Sequence, residues 1–416
     1  MPTRPPPAPS AVPSAKPSAH AAGDSRADRL VTAAARQISE HGLAAASARS
    51  VAAVAGTAAS AINYNFGGIE RLLSLAFEAG ASHTADWLDA RRGELAALPR
   101  SADGAVYALE HVVREWTQGA RPLALLYQER LAVSPSRGGA RWTALWRDFW
   151  LETAADFGLR ETEGRLMHLF FESEGLHHLS TWSPALEGAA LHELVGHFGE
   201  VWLGASPSSP IGALSLAEQS AGVQAGGALT PAAARIAVAA AAVAEGGLGA
   251  LTHRAVAAQA GVTTGAVTHH FRTVEELTAG AIRGQVLALE PPPGDAGARS
   301  VEDSRSSEEF VQAIRPHTLR DAPAGPARAR RNLFLAAVRR PEQASCAAVI
   351  RFAYGGTSRR GLQGVIDLPP ETLALRGAVL SRILSSIWYA TSADPAPETS
   401  RTQAFDAICA RAFVCG

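Results

Sequence analysis

Imidazole is the side chain that most readily holds a metal or carries a proton near neutral pH. Five of the chain's 13 histidines lie close together: His168, His177, His178, His192 and His197. Two of them belong to His192-Glu193-Leu194-Val195-Gly196-His197, which has the composition of a zinc-protease helix but not its spacing. That motif needs histidines four apart on one helical face, and these are five apart. No Ser/His/Asp set, glycine-rich phosphate cradle or acid–base carboxylate pair stands out. We therefore expect no enzyme, metal site or cofactor, and read the histidines as polar pocket or interface positions. The other residues with chemical reach are small and polar, and they occur twice. Ser60, Asn63, Tyr64 and Asn65 surround the apolar anchors Ile62 and Phe66; Thr264, Thr268, His269 and His270 surround Val267 and Phe271. A helix anchored on one side, with hydroxyl, amide and imidazole groups on the other, suits a DNA groove.

The elements that must hold these residues repeat as well. Gly42–Phe66 and Gly247–Phe271 align without a gap at an offset of 205 residues. Matches fall at Gly42/Gly247, Leu43/Leu248, Arg49/Arg254, Val51/Val256, Ala52/Ala257, Ala55/Ala260, Gly56/Gly261, Phe66/Phe271 and Leu72/Leu277. A period this long means two whole domains, not a solenoid. Ser47 and Thr252 suit N-caps, because a hydroxyl there can satisfy an orphan N–H of the first turn. Val51, Ala52 and Ala55 then share one helical face. Gly56 and Gly261 stand where the helix must stop, since glycine takes a positive φ without a Cβ penalty. A second apolar set opens the next helix. Two short helices joined by a tight turn make a helix-turn-helix, whose second helix enters the major groove.

At this point the sequence resembles the DNA-binding domain of the TetR (tetracycline repressor) family of bacterial transcription regulators. Both copies carry a helix ending in EHGL or EGGL, then S/T-x-R-x-V-A, then A-G, then A-I-N-Y-N-F or A-V-T-H-H-F. The likeness spans Ala27–Gly80 and Pro231–Gly284. It implies DNA contacts from Ser47, Arg49, Ala59, Ser60, Asn63, Tyr64 and Asn65, with Ala58 beside them. In the second copy the implied set is Thr252, Arg254, Thr263, Thr264, Gly265, Thr268, His269 and His270. Arginine can pair bidentately with guanine. The chain also departs from the family. A phosphate-contacting lysine usual after the recognition helix is replaced by Ile69 and Val274, with Arg71 and Arg272 nearby. Ala58 and Thr57 stand where Ser and Val are favoured, whereas Val262 and Thr263 keep to the pattern. The first reader is thus expected to be weaker or differently tuned. The resemblance further implies a small-molecule pocket and a dimer interface in the helices after each DNA-binding segment. Trp116, Tyr127, Trp142, Trp146, Trp150 and Phe170 are candidates to line a pocket for an apolar or aromatic ligand, with ordinary core packing as the alternative for each.

Composition sets the outer bounds. The 416 residues carry a net charge of −1, so any basic surface is local. Lys16 is the only lysine among 38 basic residues. Three cysteines, Cys346, Cys409 and Cys415, lack metal spacing and fit a reducing cytoplasm. No apolar run is long enough for a membrane span. The expected class is all-α, with two TetR-like units. We divide it into a disordered tail (1–23), a first DNA-binding domain (24–80) and a first helical ligand-binding and interface domain (81–203). A Gly/Ser/Pro/Ala-rich linker (204–228), a second DNA-binding domain (229–289) and a second helical domain (308–416) follow, with 291–307 as a flexible insertion. The expected partner is a double-stranded DNA operator, read by one chain acting as an intramolecular pseudo-dimer; further dimerisation stays open. The rival expectation is a sensor or interaction module that has lost DNA binding.

Overall fold

The computed structural model describes residues 25–132, 139–225, 228–287, 301–320 and 325–414, and among them the regular structure is helical, without strands. The tail (1–23) and most of the 291–307 insertion lie outside the described residues. The first unit begins with α1 (Arg26–His41), α2 (Ala48–Val54), α3 (Ser60–Phe66) and the long α4 (Ile69–Leu95). Then come α5 (Ala102–Arg114), α6 (Arg121–Ala132), α7 (Gly139–Asp156), α8 (Glu161–His177), α9 (Pro184–Phe198) and α10 (Ala213–Gln224). The second unit comprises α11 (Pro231–Ala244), α12 (His253–Ala260), α13 (Thr264–His270), α14 (Val274–Leu287) and α15 (Ser307–Thr318). It ends with α16 (Gly325–Ala337), α17 (Ala344–Ala353), α18 (Gly356–Gln363), α19 (Pro370–Ala390) and α20 (Pro397–Ala412). Adding the 205-residue offset to the first residues of α1, α2 and α4 gives the first residues of α11, α12 and α14.

Local chemistry explains these boundaries. Ser25 and Asp28 form a reciprocal capping box at α1, both bonds 3.1 Å. Leu30, Ala34 and Ile38, four residues apart, are wholly buried along its inner stripe. Thr230 caps α11 by accepting from the Ala233 N–H, with Pro231 at its first position. The expected linker is a different matter, because it contains α10. Leu214, Ala217 and Ala221 lie three and four residues apart and are buried against α9 and α17. The Glu193 carboxylate accepts from the N–H groups of Ala213 (3.1 Å) and Leu214 (2.8 Å) at the start of α10. The glutamate of the zinc-protease look-alike therefore caps a helix.

The two units meet through α8 and α9 on α19 and α20, with α10 against α17. Charge is buried at this junction. Glu174 on α8 is wholly buried and pairs with Arg382 of α19 and with Arg351 of α17, the latter at 3.4 Å. Arg351 also reaches Glu187 of α9 at 3.5 Å. The two guanidiniums hold the Glu174 carboxyl at about 2, although burial acts to raise it. Asp394 of the second unit takes Arg147 (3.0 Å) and Arg165 (3.3 Å) of the first.

Three buried imidazoles line the same junction. His177 packs against Phe334 and Tyr354, His178 Nδ1 lies 2.7 Å from the Thr117 hydroxyl, and His197 Nε2 accepts from Arg376 Nε at 3.1 Å. Burial, then the nearby arginines, lowers each to about 3. A folded-state value below the unfolded one means that the unfolded chain takes up protons first as pH falls. The stabilisation is complete above about pH 6.5 and is lost between there and pH 3. At pH 5.5 each neutral imidazole should cost on the order of 1 kcal/mol, so the three together cost roughly a few kcal/mol. Urea unfolding at pH 7.5 and 5.5 tests this, and equal stabilities would show that these imidazoles are not held neutral.

Candidate nucleic-acid interface

The two helix-turn-helix units are built alike and finished differently. In the first, Ser47 and Ser50 form a reciprocal cap at α2, with the Ser50 N–H donating to Ser47 Oγ at 3.1 Å. In the second, Thr252 accepts from the Ala255 N–H at 3.1 Å. The recognition-type helices diverge more. The Thr263 hydroxyl caps α13 by accepting from the Ala266 N–H at 3.2 Å. Ala59, one residue on from the Ala58 position where serine is favoured, is the N-cap of α3 and makes no side-chain cap. Gly67 closes α3 in the left-handed region at φ 75°, a conformation costly for other residues. After α13, Phe271 is extended and its carbonyl lies 2.7 Å from His253 Nε2, which ties α13 back to α12.

Val51, Ala52 and Ile62 anchor the first unit inward, as Val256, Ala257 and Val267 anchor the second. The opposite faces are open. Ser47, Arg49, Ala59, Ser60, Asn63, Tyr64 and Asn65 are all exposed, Tyr64 at 90%. Thr252, Arg254, Thr263, Thr264, Gly265, Thr268 and His269 are exposed too, and His270 is half-buried against His269. Some of these groups are already engaged: Asn65 Nδ2 donates to the Ala61 carbonyl at 2.7 Å, and the Thr268 hydroxyl to the Thr264 carbonyl at 3.0 Å. Arg49 and Arg254 have no ion pair or hydrogen bond among the described residues. Such a face can bond phosphates with hydroxyls and amides, and base edges with arginine and asparagine. At the positions lacking lysine, Ile69 packs on the core and Val274 is 51% exposed.

The candidate ligand residues are placed less simply. Trp116, Tyr127, Trp146, Trp150 and Phe170 are wholly buried. The first four pack in one aromatic cluster with Trp142, Trp116 to Trp146 at 4.8 Å and Tyr127 to Trp142 at 5.3 Å, while Phe170 pairs with Phe198 at 4.7 Å. The cluster surrounds polar atoms left without partners. The indole N–H groups of Trp116, Trp142, Trp146 and Trp150 and the Glu172 Oε2 atom are buried and unbonded. Glu172 Oε1 takes the Tyr127 hydroxyl and lies 3.3 Å from His168 Nε2. None of the five candidates lines the large cleft of about 880 Å³, which lies instead between α1, α4, α6 and the Val338–Pro341 segment. Sequence reading missed both Glu172 and this cleft. A carboxylate inside the apolar run LFFESEGL was a usable signal for the first.

The histidines do not converge. His192 is exposed and 2.8 Å from Glu110, whereas His197 is buried on Arg376. No group of three or more His, Cys, Asp or Glu among the described residues is arranged to hold a metal. No described helix is long and apolar enough to cross a membrane.

Comparison with known proteins agrees with this geometry at both places. The family profile described as bacterial regulatory proteins, tetR family, matches residues 30–76 and again 236–280. Each match runs from the first helix of a unit, through the helix-turn-helix, into the long helix behind it. No curated protein matches the chain.

Proposed function

Starting from a TetR-family DNA-binding regulator that carries two TetR-like units in one chain, we propose that it acts as a ligand-responsive repressor. On this reading both units of one chain engage one operator, so the molecule is its own dimer. The observation that carries it is the junction. Helices α8 and α9 of the first unit pack on α19 and α20 of the second, the arrangement by which two subunits of a bundle would pair. At its buried centre Glu174 and Glu187 of the first unit face Arg351 and Arg382 of the second, while at the Asp394 pairs the polarity reverses, with Arg147 and Arg165 supplied by the first unit. The two exposed reading faces then belong to one folded body, as dimeric readers of successive major grooves require.

Ligand response is supported by the aromatic cluster. Four orphan indole N–H groups and a carboxylate oxygen in one apolar core are costly unless something bonds them. The five-residue π-helical turn Glu115–Gly119, which carries Trp116, is a local irregularity often found at functional sites. A planar ligand with acceptor atoms would insert among the rings, satisfy those donors and shift the core that supports α4. Release follows only if the ligand prefers the state that binds DNA less well.

Light scattering and gel shift with the chain's own upstream DNA test the single-chain reading. The free protein should run as a monomer, and the shortest shifted duplex should carry one chain. Two chains on that shortest duplex, or free units that tumble independently, would overturn it.

A further inference from the structure

The 880 Å³ cleft lies where three parts of the molecule meet: the outer face of α1, the α4–α6 pair and the Val338–Pro341 segment of the second unit. Its size is that of a small-molecule site. The duplicated sequence supplies an internal comparison. Thr32 and Ala79 line the cleft, and their counterparts at the 205-residue offset are Ala237 and Gly284. In the second unit α11 and α14 cross so closely that a Cβ on Gly284 would overlap the Ala237 carbonyl. The second unit is shut where the first is open, and the larger Thr32 and Ala79 side chains stand in the way of that crossing.

The walls are apolar with a cationic floor. Val31, Ala35, Leu123, Leu126, Val338 and Pro341 supply the apolar surface. Arg121 stands among them, donating from Nη1 to the Leu179 carbonyl and from Nη2 to the Val338 carbonyl, both at 2.7 Å. No carboxylate of the described residues lies within 4.0 Å of it. Burial and then the neighbouring Arg339 act against its charge, the Glu187 carboxylate acts weakly the other way, and an arriving anion in the cleft would add to that support. Arg36, Glu40, His41 and His83 stand at the mouth. We propose that this cleft binds an amphiphilic carboxylate, with its chain on the apolar wall and its head group on Arg121, whose planar fork suits a carboxylate.

The site is wired to the first reading head. Arg339 of the second unit donates from Nε to the Ser39 carbonyl at 2.9 Å and pairs with Glu129 at 2.8 Å. The other Glu129 oxygen accepts from the Leu43 N–H at 3.0 Å. The end of α1 and the turn leading into α2 therefore hang on the cleft wall. A ligand wedged between α1 and Val338–Pro341 would load this clamp and turn the first helix-turn-helix. Only this second step rests on the regulator reading above.

Decanoate is the probe, titrated calorimetrically into the full-length chain, with 1-decanol and decylamine as neutral and cationic counterparts. One saturable decanoate site is expected. Binding should weaken about tenfold or more for decanol and in Arg121→Gln, the worth of one charge-assisted contact. Arg100→Gln, a charge change outside the cleft lining, should leave it unchanged. Ala79→Phe fills the cleft and should abolish it; this variant decides if Arg121→Gln fails to fold. Absence of saturable binding, equal binding of decanol or decylamine, full binding by Ala79→Phe, or loss in Arg100→Gln would each overturn the site. Decanoate should also change operator affinity. Saturable binding with unchanged operator affinity would overturn the link to the reading head alone, whereas a chain that binds decanoate but no DNA would overturn the regulator reading and leave the site standing.

Discussion

Replacing Glu174 by Gln should cost the folded chain about 3–5 kcal/mol, because it removes the shared counter-charge of two buried guanidiniums. Arg351 and Arg382 are wholly buried, and Glu174 lies between them without solvent access. Glutamine keeps the shape and one acceptor, so the loss measures charge and not volume. Arg351 retains Glu187 at 3.5 Å, but among the described residues Arg382 has no second carboxylate partner. Its remaining bonds go to the carbonyls of Arg351, Ala378 and Tyr354. Urea unfolding of wild type, Glu174→Gln and the triple change Glu174→Leu/Arg351→Met/Arg382→Met separates the terms. The single variant should be much the least stable, since a buried ion cluster replaced whole by apolar groups is often neutral or better. A loss below about 1 kcal/mol for Glu174→Gln would place the cluster in a wet environment and undo its role in pairing. That role concerns specificity. Two first units facing each other would bring Glu174 and Glu187 against like charges, and two second units would do the same with arginines. The buried charges thus oppose self-pairing of either unit and favour the pairing within one chain.

How much of this was readable beforehand depended on range. Elements set by local rules were legible: the Leu30/Ala34/Ile38 stripe, the Ser47 and Thr263 caps and the glycine stops all follow from residues within a turn or two. The repeat added strength, because two copies in one register constrain each other. Features set by distant segments were not legible. Residues 204–228 have a linker's composition, and α10 is secured by the Glu193 carboxylate, by α9 and by a surface on α17, more than a hundred residues later. The aromatic residues could be picked by type, but whether rings fill a space or surround one depends on shapes that spacing does not encode. The cleft joins Val31 to Val338, so no window of sequence contains it. The reading faces fall between these cases. Exposure of Asn63 and Thr268 could be foreseen from the anchors beside them, whereas the bonds that occupy Asn65 and Thr268 needed the fold.

Those bonds sharpen the expectation for the operator, which should be asymmetric. A homodimer presents the same helix twice and reads a palindrome, so operator symmetry mirrors protein symmetry. Here α3 offers Ser60, Asn63 and Tyr64, while α13 offers Thr264, Thr268 and His269. Asn65 spends an amide hydrogen on the Ala61 carbonyl, which leaves Asn63 as the unengaged amide able to grip adenine with both donor and acceptor. Thr268 donates to the Thr264 carbonyl and keeps its lone pairs and its methyl for the groove. The first half-site should therefore require an adenine that the second does not. Arg49 and Arg254 are equivalent and unpaired among the described residues, so a common guanine should survive in both half-sites as a partial palindrome. The Thr263 cap and the His253 tie to Phe271 hold α13 in place, and α3 has neither, so the second half-site should dominate affinity. Each wrong base pair costs about 1–3 kcal/mol, so replacing the first half-site by a copy of the second, and the reverse, should weaken binding by about 2–6 kcal/mol where two positions differ. Arg254→Ala should cost about 1–3 kcal/mol and relax specificity only at its guanine. Footprinting followed by systematic base substitution, at one fixed salt concentration, reads all of this. A perfectly palindromic operator bound as tightly as the native one would mean that the two helices read alike, and the asymmetry argument would fall.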